Sequence, residues 1–239
     1  MCQNPRICGI SLAFQTNTGS AMISLRKFTF NAFAENTYLL YDETKQAIII
    51  DPGMMDNSEE RLMLNAIAEE ELNPVKVVLT HGHIDHVLGV DFCMKKFGIP
   101  LVSHKKALPT IGMAEQVSRM YGLPFTTCPD PTEFIEEGEQ LTFGNSSMDV
   151  LFVPGHAPGH VAFVDHDGKK VIAGDVLFQG SVGRVDLPGG DAPLLAKSIQ
   201  EKMYALPDEM IVYCGHGPET TIGIEKQSNP FVRPGFSAF

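Results

Sequence analysis

Three histidines and an aspartate lie within six residues of the segment "VVLTHGHIDHVLGV" (77–90). In an extended segment, residues two apart point in the same direction, so His81 and His83 can converge on one point. If a helix begins directly afterwards, Asp85 and His86 project from its first turn. This short segment therefore offers four metal ligands in two directions, and imidazole combined with carboxylate suits Zn²⁺, Fe or Mn.

One segment cannot complete such a site, and three more candidates follow apolar runs elsewhere in the chain. His156 lies in "LFVPGHAPGH", Asp175 in "KKVIAGDVLF" and His216 in "MIVYCGHGPE". Each follows an apolar strand pattern and a glycine that lets the backbone turn closely. Spacing alone does not choose between His156 and His160 as the ligand. We interpret the two remaining histidines as surface or hydrogen-bonded structural residues: His104 and His166.

The elements that must position these residues are short strands with turn residues between them. The patterns predict strands at 22–30, 36–42, 47–53, 75–80, 140–144, 147–155, 161–168, 169–175 and 210–217. They predict helices at 58–71, 84–97, 191–206 and 218–227. We expect Asn57 or Ser58 to cap the first helix and Asp191 to cap the third. The buried stripe of that third helix is predicted to consist of Leu195, Ile199, Met203 and Leu206.

The order of these elements indicates the fold class. Strands outnumber helices, and both kinds occur in each half of the chain. This favours a layered sandwich over a doubly wound parallel sheet. No glycine-rich phosphate-binding fingerprint follows the first strands, which argues against a nucleotide-binding fold. The sequence therefore predicts a mixed, strand-rich protein whose strand ends carry a metal site.

Composition narrows the classes of function. The chain has 239 residues, of which 44% are hydrophobic, and a formal net charge of −11. This charge repels phosphate backbones, so nucleic acid is not an expected partner. No apolar run reaches the roughly 20 residues that span a bilayer. The five cysteines are scattered without a CxxC pair, which favours a reducing cytoplasm. Residues 1–21 are interpreted as a disordered tail or a mis-assigned start, and residues 22–239 as a single domain.

A family resemblance rests on four motif blocks in this order. "THGHIDH", Gly155-His156, Gly174-Asp175 and Gly215-His216 resemble the metallo-β-lactamase superfamily. Within it, "GDVLFQGSVGRVDLPGGD" and "CGHGPET" are most similar to the glyoxalase II-like hydrolases. The resemblance implies an α+β fold, a four-layer αββα sandwich of two sheets covered by helices.

The resemblance also implies roles for the candidate ligands and for one further acid. His81, His83 and His156 would surround one metal ion. The second ion would be held by Asp85, His86 and His216, with Asp175 bridging both, and His156 is preferred over His160. Asp51 matches the family's acid that orients a ligand histidine from behind. The alternative for Asp51 is a turn-forming residue in Asp-Pro-Gly.

The implied chemistry is hydrolysis at two divalent metal ions, with Zn²⁺ expected and Fe or Mn acceptable. A metal-bridging hydroxide would attack a carbonyl carbon, and Asp85 would act as both ligand and proton shuttle. We expect a small-molecule thioester substrate such as S-lactoylglutathione, as in hydroxyacylglutathione hydrolases. The alternatives are a persulfide dioxygenase with a single iron on His81, His156 and Asp175, a lactonase, and a metal-binding module without catalysis.

Substrate-binding residues are less clearly indicated. Arg184, in "SVGRVD", is the candidate for an anionic substrate group, and the alternative is an ion pair with Asp186 or Asp191. The segment 111–125 is predicted to pack as a buried helix, with a lid that presents Met120 and Tyr121 as the alternative.

The chain ends soon after "IEKQSNPFVRPGF", without the C-terminal helical extension of hydroxyacylglutathione hydrolases. In addition, Phe163 stands where that family has a tyrosine. Both features favour a compact subgroup that need not prefer glutathione. The sequence leaves the thiol, the native metal and the oligomeric state open.

Overall fold

Two six-stranded sheets form the centre of the structure. The computed structural model describes residues 22–125 and 127–239, so the expectations for residues 1–21 fall outside the described part. The strands of the first sheet are adjacent in chain order: β1 (Ser24–Phe30), β2 (Glu35–Tyr41), β3 (Gln46–Ile50), β4 (Asn73–Val78), β5 (Leu101–Ser103) and β6 (Glu133–Phe134). Strands β1 to β3 pair antiparallel, and β3 to β6 pair parallel.

The second sheet comes from the later part of the chain. Its strands are β7 (Gln140–Phe143), β8 (Ser146–Phe152), β9 (Val161–Asp165), β10 (Lys170–Gly174), β13 (Ile211–Cys214) and β14 (Thr220–Thr221). Their spatial order is β14-β13-β10-β9-β8-β7, and only β10 and β13 are parallel neighbours. Two small hairpins are formed by β11 (Leu177–Phe178) with β12 (Ser181–Val182) and by β15 (Val232–Arg233) with β16 (Phe236–Ser237).

Helices cover the outer face of each sheet. They are α1 (Asn57–Glu69), α2 (Ile84–Val87), α3 (Val90–Phe97), α4 (Leu108–Gly112), α5 (Ala114–Tyr121), α6 (Ala192–Glu201) and α7 (Ile222–Ser228). Short 3₁₀ turns lie at Lys105–Ala107 and Met203–Ala205. None of the helices in the described ranges combines the length and apolarity needed to cross a membrane.

The period of two along the strands produces the layers. In β2, Leu39 packs with the helices outside the first sheet. Its neighbours Tyr38 and Leu40 face the second sheet, where they meet Val150 and Phe163. The outer face of the second sheet packs in the same way against α6 and α7. Three apolar layers thus separate four layers of secondary structure, which confirms the predicted αββα sandwich.

Several local predictions were wrong. The helix predicted at 218–227 begins only at Ile222, because Thr220–Thr221 form β14. The helix predicted at 84–97 is interrupted between α2 and α3, because the chain turns at Gly89 and its N–H donates to the Pro52 carbonyl at 2.7 Å. The cap of α1 is Asp56, whose carboxylate accepts from the N–H groups of Ser58 and Glu59. The predicted Asp191 cap of α6 is confirmed by its bond from the Leu194 N–H.

Candidate metal centre

Segments that follow four strands meet at one edge of the sandwich. His81 and His83 follow β4, and helix α2 comes directly after them. The other predicted ligands follow the carboxyl ends of strands of the second sheet: His156 after β8, Asp175 after β10 and His216 after β13. The structure thus brings all seven predicted ligand residues into one cluster.

One half of this cluster consists of imidazoles. His81 Nε2 lies 3.1 Å from His83 Nδ1 and 3.3 Å from His156 Nε2. Burial lowers the pKa of all three histidines, and that of His83 falls to about 3. His156 Nδ1 donates to the carbonyl of Arg184 at 2.7 Å, which leaves Nε2 as the free lone pair. Three neutral imidazole nitrogens therefore converge on one point.

The other half is rich in carboxylate. Asp85 Oδ2 lies 3.1 Å from His216 Nε2 and 3.7 Å from His86 Nε2. Asp175 stands between the two halves. Its Oδ1 is 3.5 Å from His86 Nε2, and its Oδ2 is 3.5 Å from the Nε2 atoms of both His156 and His216. Asp175 therefore lies close enough to contribute ligand oxygens to both halves of the cluster.

The charges of this half match a cation. Burial lowers the pKa of His216, but hydrogen bonds to Asp175 and Asp85 outweigh it and raise the pKa to about 10. Asp175 Oδ1 and His86 Nε2 are buried without a hydrogen-bond partner among the described residues. Unpaired buried polar atoms are costly unless another group satisfies them. The donor set therefore fits divalent cations, with neutral imidazoles on one side and anionic oxygens on the other.

Two acids lie behind His86. Asp51 Oδ2 is 3.1 Å from His86 Nδ1, and Asp51 Oδ1 accepts the backbone N–H of Thr80 at 2.7 Å. Asp51 thus occupies the predicted place behind a ligand histidine. Glu35 Oε1 lies 3.7 Å from the same Nδ1, and burial raises the pKa of Glu35 well above its usual value. Sequence reasoning missed Glu35, which begins β2 beside the polar residues Asn36 and Thr37 and has no distinguishing local pattern.

His216 is oriented by the turn between β1 and β2. Its Nδ1 donates to the carbonyl oxygen of Phe33 at 3.0 Å, so Nε2 faces the carboxylates. The ring of Phe33 also meets that of Tyr121 edge to face, with centroids 5.5 Å apart. Phe33 therefore contacts both a predicted ligand and helix α5, a role that the sequence pattern did not indicate.

Glycine is required beside the ligands. Gly174 has φ of +50°, and a Cβ there would collide with Thr80 Oγ1 and with His160. A Cβ on Gly215 would collide with Asp175 Oδ1 and crowd His86. The expectation that glycines allow close turns before the ligands therefore has a steric basis at both positions.

The remaining histidines lie outside the cluster of ligand atoms. His160 is fully buried, and its Nε2 accepts the backbone N–H of Asp175 at 3.0 Å. Spacing left His156 and His160 open, whereas the geometry places His156 at the ligand position. His104 accepts the Lys106 N–H, and His166 pairs with Asp149 at the surface. These contacts agree with the structural roles expected of His104 and His166.

A cavity of about 500 Å³ opens onto the cluster. Arg184 lines it, and its guanidinium donates two hydrogen bonds of 2.7 Å to Asp186, so the ion-pair alternative is the one observed. Met120 and Tyr121 line the cavity and are 75% and 54% exposed, which contradicts the predicted buried packing of their helix. Phe163 lies between the sheets and does not line the cavity, so its lack of a hydroxyl does not bear on substrate binding.

A four-layer αββα sandwich with imidazoles and carboxylates converging at one edge, together with relatives named as hydrolases, identifies a metal-dependent hydrolase. The chain belongs to the metallo-β-lactamase superfamily, whose family model matches residues 31–216. It is glyoxalase II-like within that superfamily, as the motif blocks indicated.

Two named relatives and one solved structure are similar to this chain over most of its length. It is 41% identical over 204 residues to hydroxyacylglutathione hydrolase GloC of Haemophilus influenzae, covering 84% of this chain and 94% of that protein. It is 36% identical to the probable metallo-hydrolase YqgX of Bacillus subtilis, covering 89% and 98%. The structure of TTHA1623 in a di-iron-bound form has a TM-score of 0.77 and 40% identity, covering 86% and 98%.

Proposed function

We propose that this protein hydrolyses acyl thioesters of the S-lactoylglutathione type at a centre of two divalent metal ions. The observation that carries the proposal is the position of Asp175 between the imidazole half and the carboxylate half of the cluster. Similarity to a protein named hydroxyacylglutathione hydrolase supports the substrate class. The scattered cysteines support a cytoplasmic location.

We assign the ligands by the two groups of converging atoms. His81, His83 and His156 would hold the first ion, and Asp85, His86 and His216 would hold the second. Asp175 would contribute to both, because its oxygens lie 3.5 Å from histidines of each half. Zn²⁺ fits this set of neutral imidazoles and carboxylates, and so does iron, which the similar TTHA1623 structure contains. When bound, the ions acidify a water molecule and polarise the substrate carbonyl.

The residues of this chain orient the centre and move the proton. Asp51 fixes His86 from behind, and the Phe33 carbonyl fixes His216. Asp85 presents Oδ2 to His216, and we place the transferred proton on its other oxygen, Oδ1. Water adds to the thioester carbon, the C–S bond breaks, and the proton lost by the water passes through Asp85 to the thiolate. The products are a free thiol and a carboxylate, and the second proton of the water is released to solvent when the carboxylic acid ionises.

A substrate panel on protein of known metal content tests the proposal. We expect hydrolysis of S-lactoylglutathione without oxygen consumption, with two metal ions per chain. Oxygen uptake with glutathione persulfide on protein that holds one iron would instead identify the persulfide dioxygenase alternative. Opening of lactones without cleavage of any thioester would identify a lactonase. Either result would overturn the thioester assignment.

A further inference from the structure

We propose that the substrate's acyl group is an uncharged, apolar chain that packs along one face of helix α5. This inference rests on the proposed thioester hydrolysis and specifies its substrate class. The relevant face is formed by Met113, Val117, Met120 and Tyr121, here called the α5 stripe. All four residues line the cavity that opens onto the metal centre.

The spacing of the α5 stripe places its side chains on one side of the helix. Residues three and four apart lie above one another on a helix surface. Met113, Met120 and Tyr121 are 37%, 75% and 54% exposed, so three large apolar side chains face open space beside the centre. A contiguous exposed apolar surface of this kind often marks a binding site.

The other side of the helix has a different character. Glu115 and Arg119 form an exposed ion pair and do not line the cavity. The helix is therefore amphipathic. Its apolar side lines the cavity together with Gln116, while Ala114 and Ser118 are buried and Val117 also packs against the core. The side that faces the cavity thus offers mainly apolar contacts to a substrate.

Other residues of the cavity lining are also apolar. They are Phe33, whose ring contacts Tyr121, and Phe178, Val182, Leu187 and Pro188. The lining also includes ligand residues of the proposed metal centre, among them His83, Asp85 and His216. A thioester carbonyl at the centre would therefore place its acyl chain among apolar side chains.

The described cavity lining offers no free cation that would favour an anionic acyl group. Among the described lining residues, Arg184 is the one arginine or lysine, and its guanidinium is already bonded to Asp186. The chain as a whole carries a formal charge of −11. No unpaired lysine or arginine of the described lining is thus available for a carboxylate on the acyl group, whereas apolar contacts are.

A chain-length series tests the inference. The substrates are acetyl, butanoyl, hexanoyl and octanoyl thioesters of the uncharged thiol N-acetylcysteamine. We expect kcat/KM to rise about two- to fourfold per methylene, since each buried methylene contributes to binding. The rise should continue through the whole series, because an extended octanoyl chain is shorter than the roughly 12 Å that the α5 stripe spans along the helix. A flat or falling series alongside normal cleavage of S-lactoylglutathione would overturn the inference.

Binding of unreactive analogues separates this inference from the proposed function. In ketone analogues with CH₂ in place of the thioester sulfur, affinity should rise with acyl length even if no thioester is cleaved. Affinity that depends on the thiol side alone would contradict the acyl assignment. If no thioester reacted but the affinity for the ketones still rose with acyl length, the proposed reaction would be refuted and the inference about the acyl group would stand.

Variants of the α5 stripe complete the test. In the double variant Met113→Gln/Met120→Gln, the ratio of octanoyl to lactoyl kcat/KM should fall about tenfold, because glutamine keeps the length but not the apolar surface. Arg119→Gln changes the same helix on the side that does not line the cavity, and should leave the ratio unaltered. Equal ratios in the double variant and Arg119→Gln would refute the role of the stripe.

Discussion

The imidazole of His160 is stacked on that of His81, with ring centroids 4.7 Å apart and planes 15° apart. The same His160 ring accepts the backbone N–H of Asp175 through Nε2. One buried side chain that is not itself among the converging ligand atoms therefore supports a proposed ligand of the first ion and the proposed bridge to the second.

Two substitutions of His160 separate these contacts. His160→Phe keeps a ring against His81 but leaves the Asp175 N–H without an acceptor, whereas Gln offers an oxygen near the position of Nε2. We expect about tenfold weaker metal binding in His160→Phe and partial recovery in His160→Gln, measured as metal content after dialysis. The unfolding free energy should change less than the free energy of metal binding. The reason is that both variants also remove His160 Nδ1, a buried atom without a partner among the described residues. Equal loss of metal in both variants would refute the role of Nε2.

His83→Ala tests the imidazole half of the centre. Removing one of three converging nitrogens should reduce the metal content by about one ion and lower kcat/KM at least about 100-fold. His166→Ala provides the control, because His166 is exposed and pairs with Asp149. Metal analysis and thioester hydrolysis measure both effects. Full activity of His83→Ala on every substrate tested would refute the catalytic proposal.

Chelation tests the coupling of metal to folding. Because a ligand that binds only the folded state stabilises it, removal of metal should lower the melting temperature, and added Zn²⁺ should restore it. Scanning calorimetry before and after treatment measures the change. The centre would not hold metal as proposed if the two melting curves coincided.

Gly215→Ala tests the steric requirement beside Asp175. The new methyl group would collide with Asp175 Oδ1 and crowd His86, so we expect metal affinity to fall about 10- to 100-fold. Gly112→Ala is the matched control, because among the described residues no atom beyond its chain neighbours and its own helix backbone lies within 4 Å of the corresponding Cβ position. The control should bind metal normally. Titration of metal-free protein distinguishes the two variants, and indistinguishable affinities would contradict the prediction.

Asp42 predicts a pH dependence of stability away from the metal centre. Burial raises its pKa, but hydrogen bonds from Thr44, Asn145 and Ser146 outweigh it, so the folded pKa lies below the unfolded value of about 3.9. Its contribution to stability is therefore complete above the unfolded pKa and is lost as the pH falls through the folded pKa.

Asp42→Asn should lower the unfolding free energy by about 1–3 kcal/mol at pH 7, because the bonds to the carboxylate weaken or are lost. The difference from the unsubstituted protein should shrink on acidification below about pH 4. Denaturant titrations at several pH values measure it, with the exposed Asp149→Asn as control. A difference that stays constant down to pH 2 would exclude Asp42 as the titrating group.

The sequence predicted the sandwich and the cluster because both depend on local patterns. Apolar strands followed by glycine and a ligand type marked His156, Asp175 and His216 as candidates, and the family resemblance preferred His156 over His160. The position of Glu35 behind His86 and the bond from His156 to the Arg184 carbonyl depend on contacts between distant segments. Local spacing carries no information about such partners.

The same limit explains the error at helix α5. Residues 111–125 were predicted to pack as a buried helix, but apolar residues in a helical segment do not tell whether they meet the protein interior or a cavity. The interruption between α2 and α3 likewise arises from the approach of Pro52, which is remote in sequence from Gly89.

The dual contact of Phe33, through its carbonyl to His216 and through its ring to Tyr121, constrains attempts to redesign the protein. Replacing Tyr121 would disturb the support of a metal-facing histidine as well as the shape of the entrance. A library that aims at new substrates should therefore diversify Met113 and Met120 and hold Tyr121 constant, so that selectivity can be changed without altering the reactive machinery.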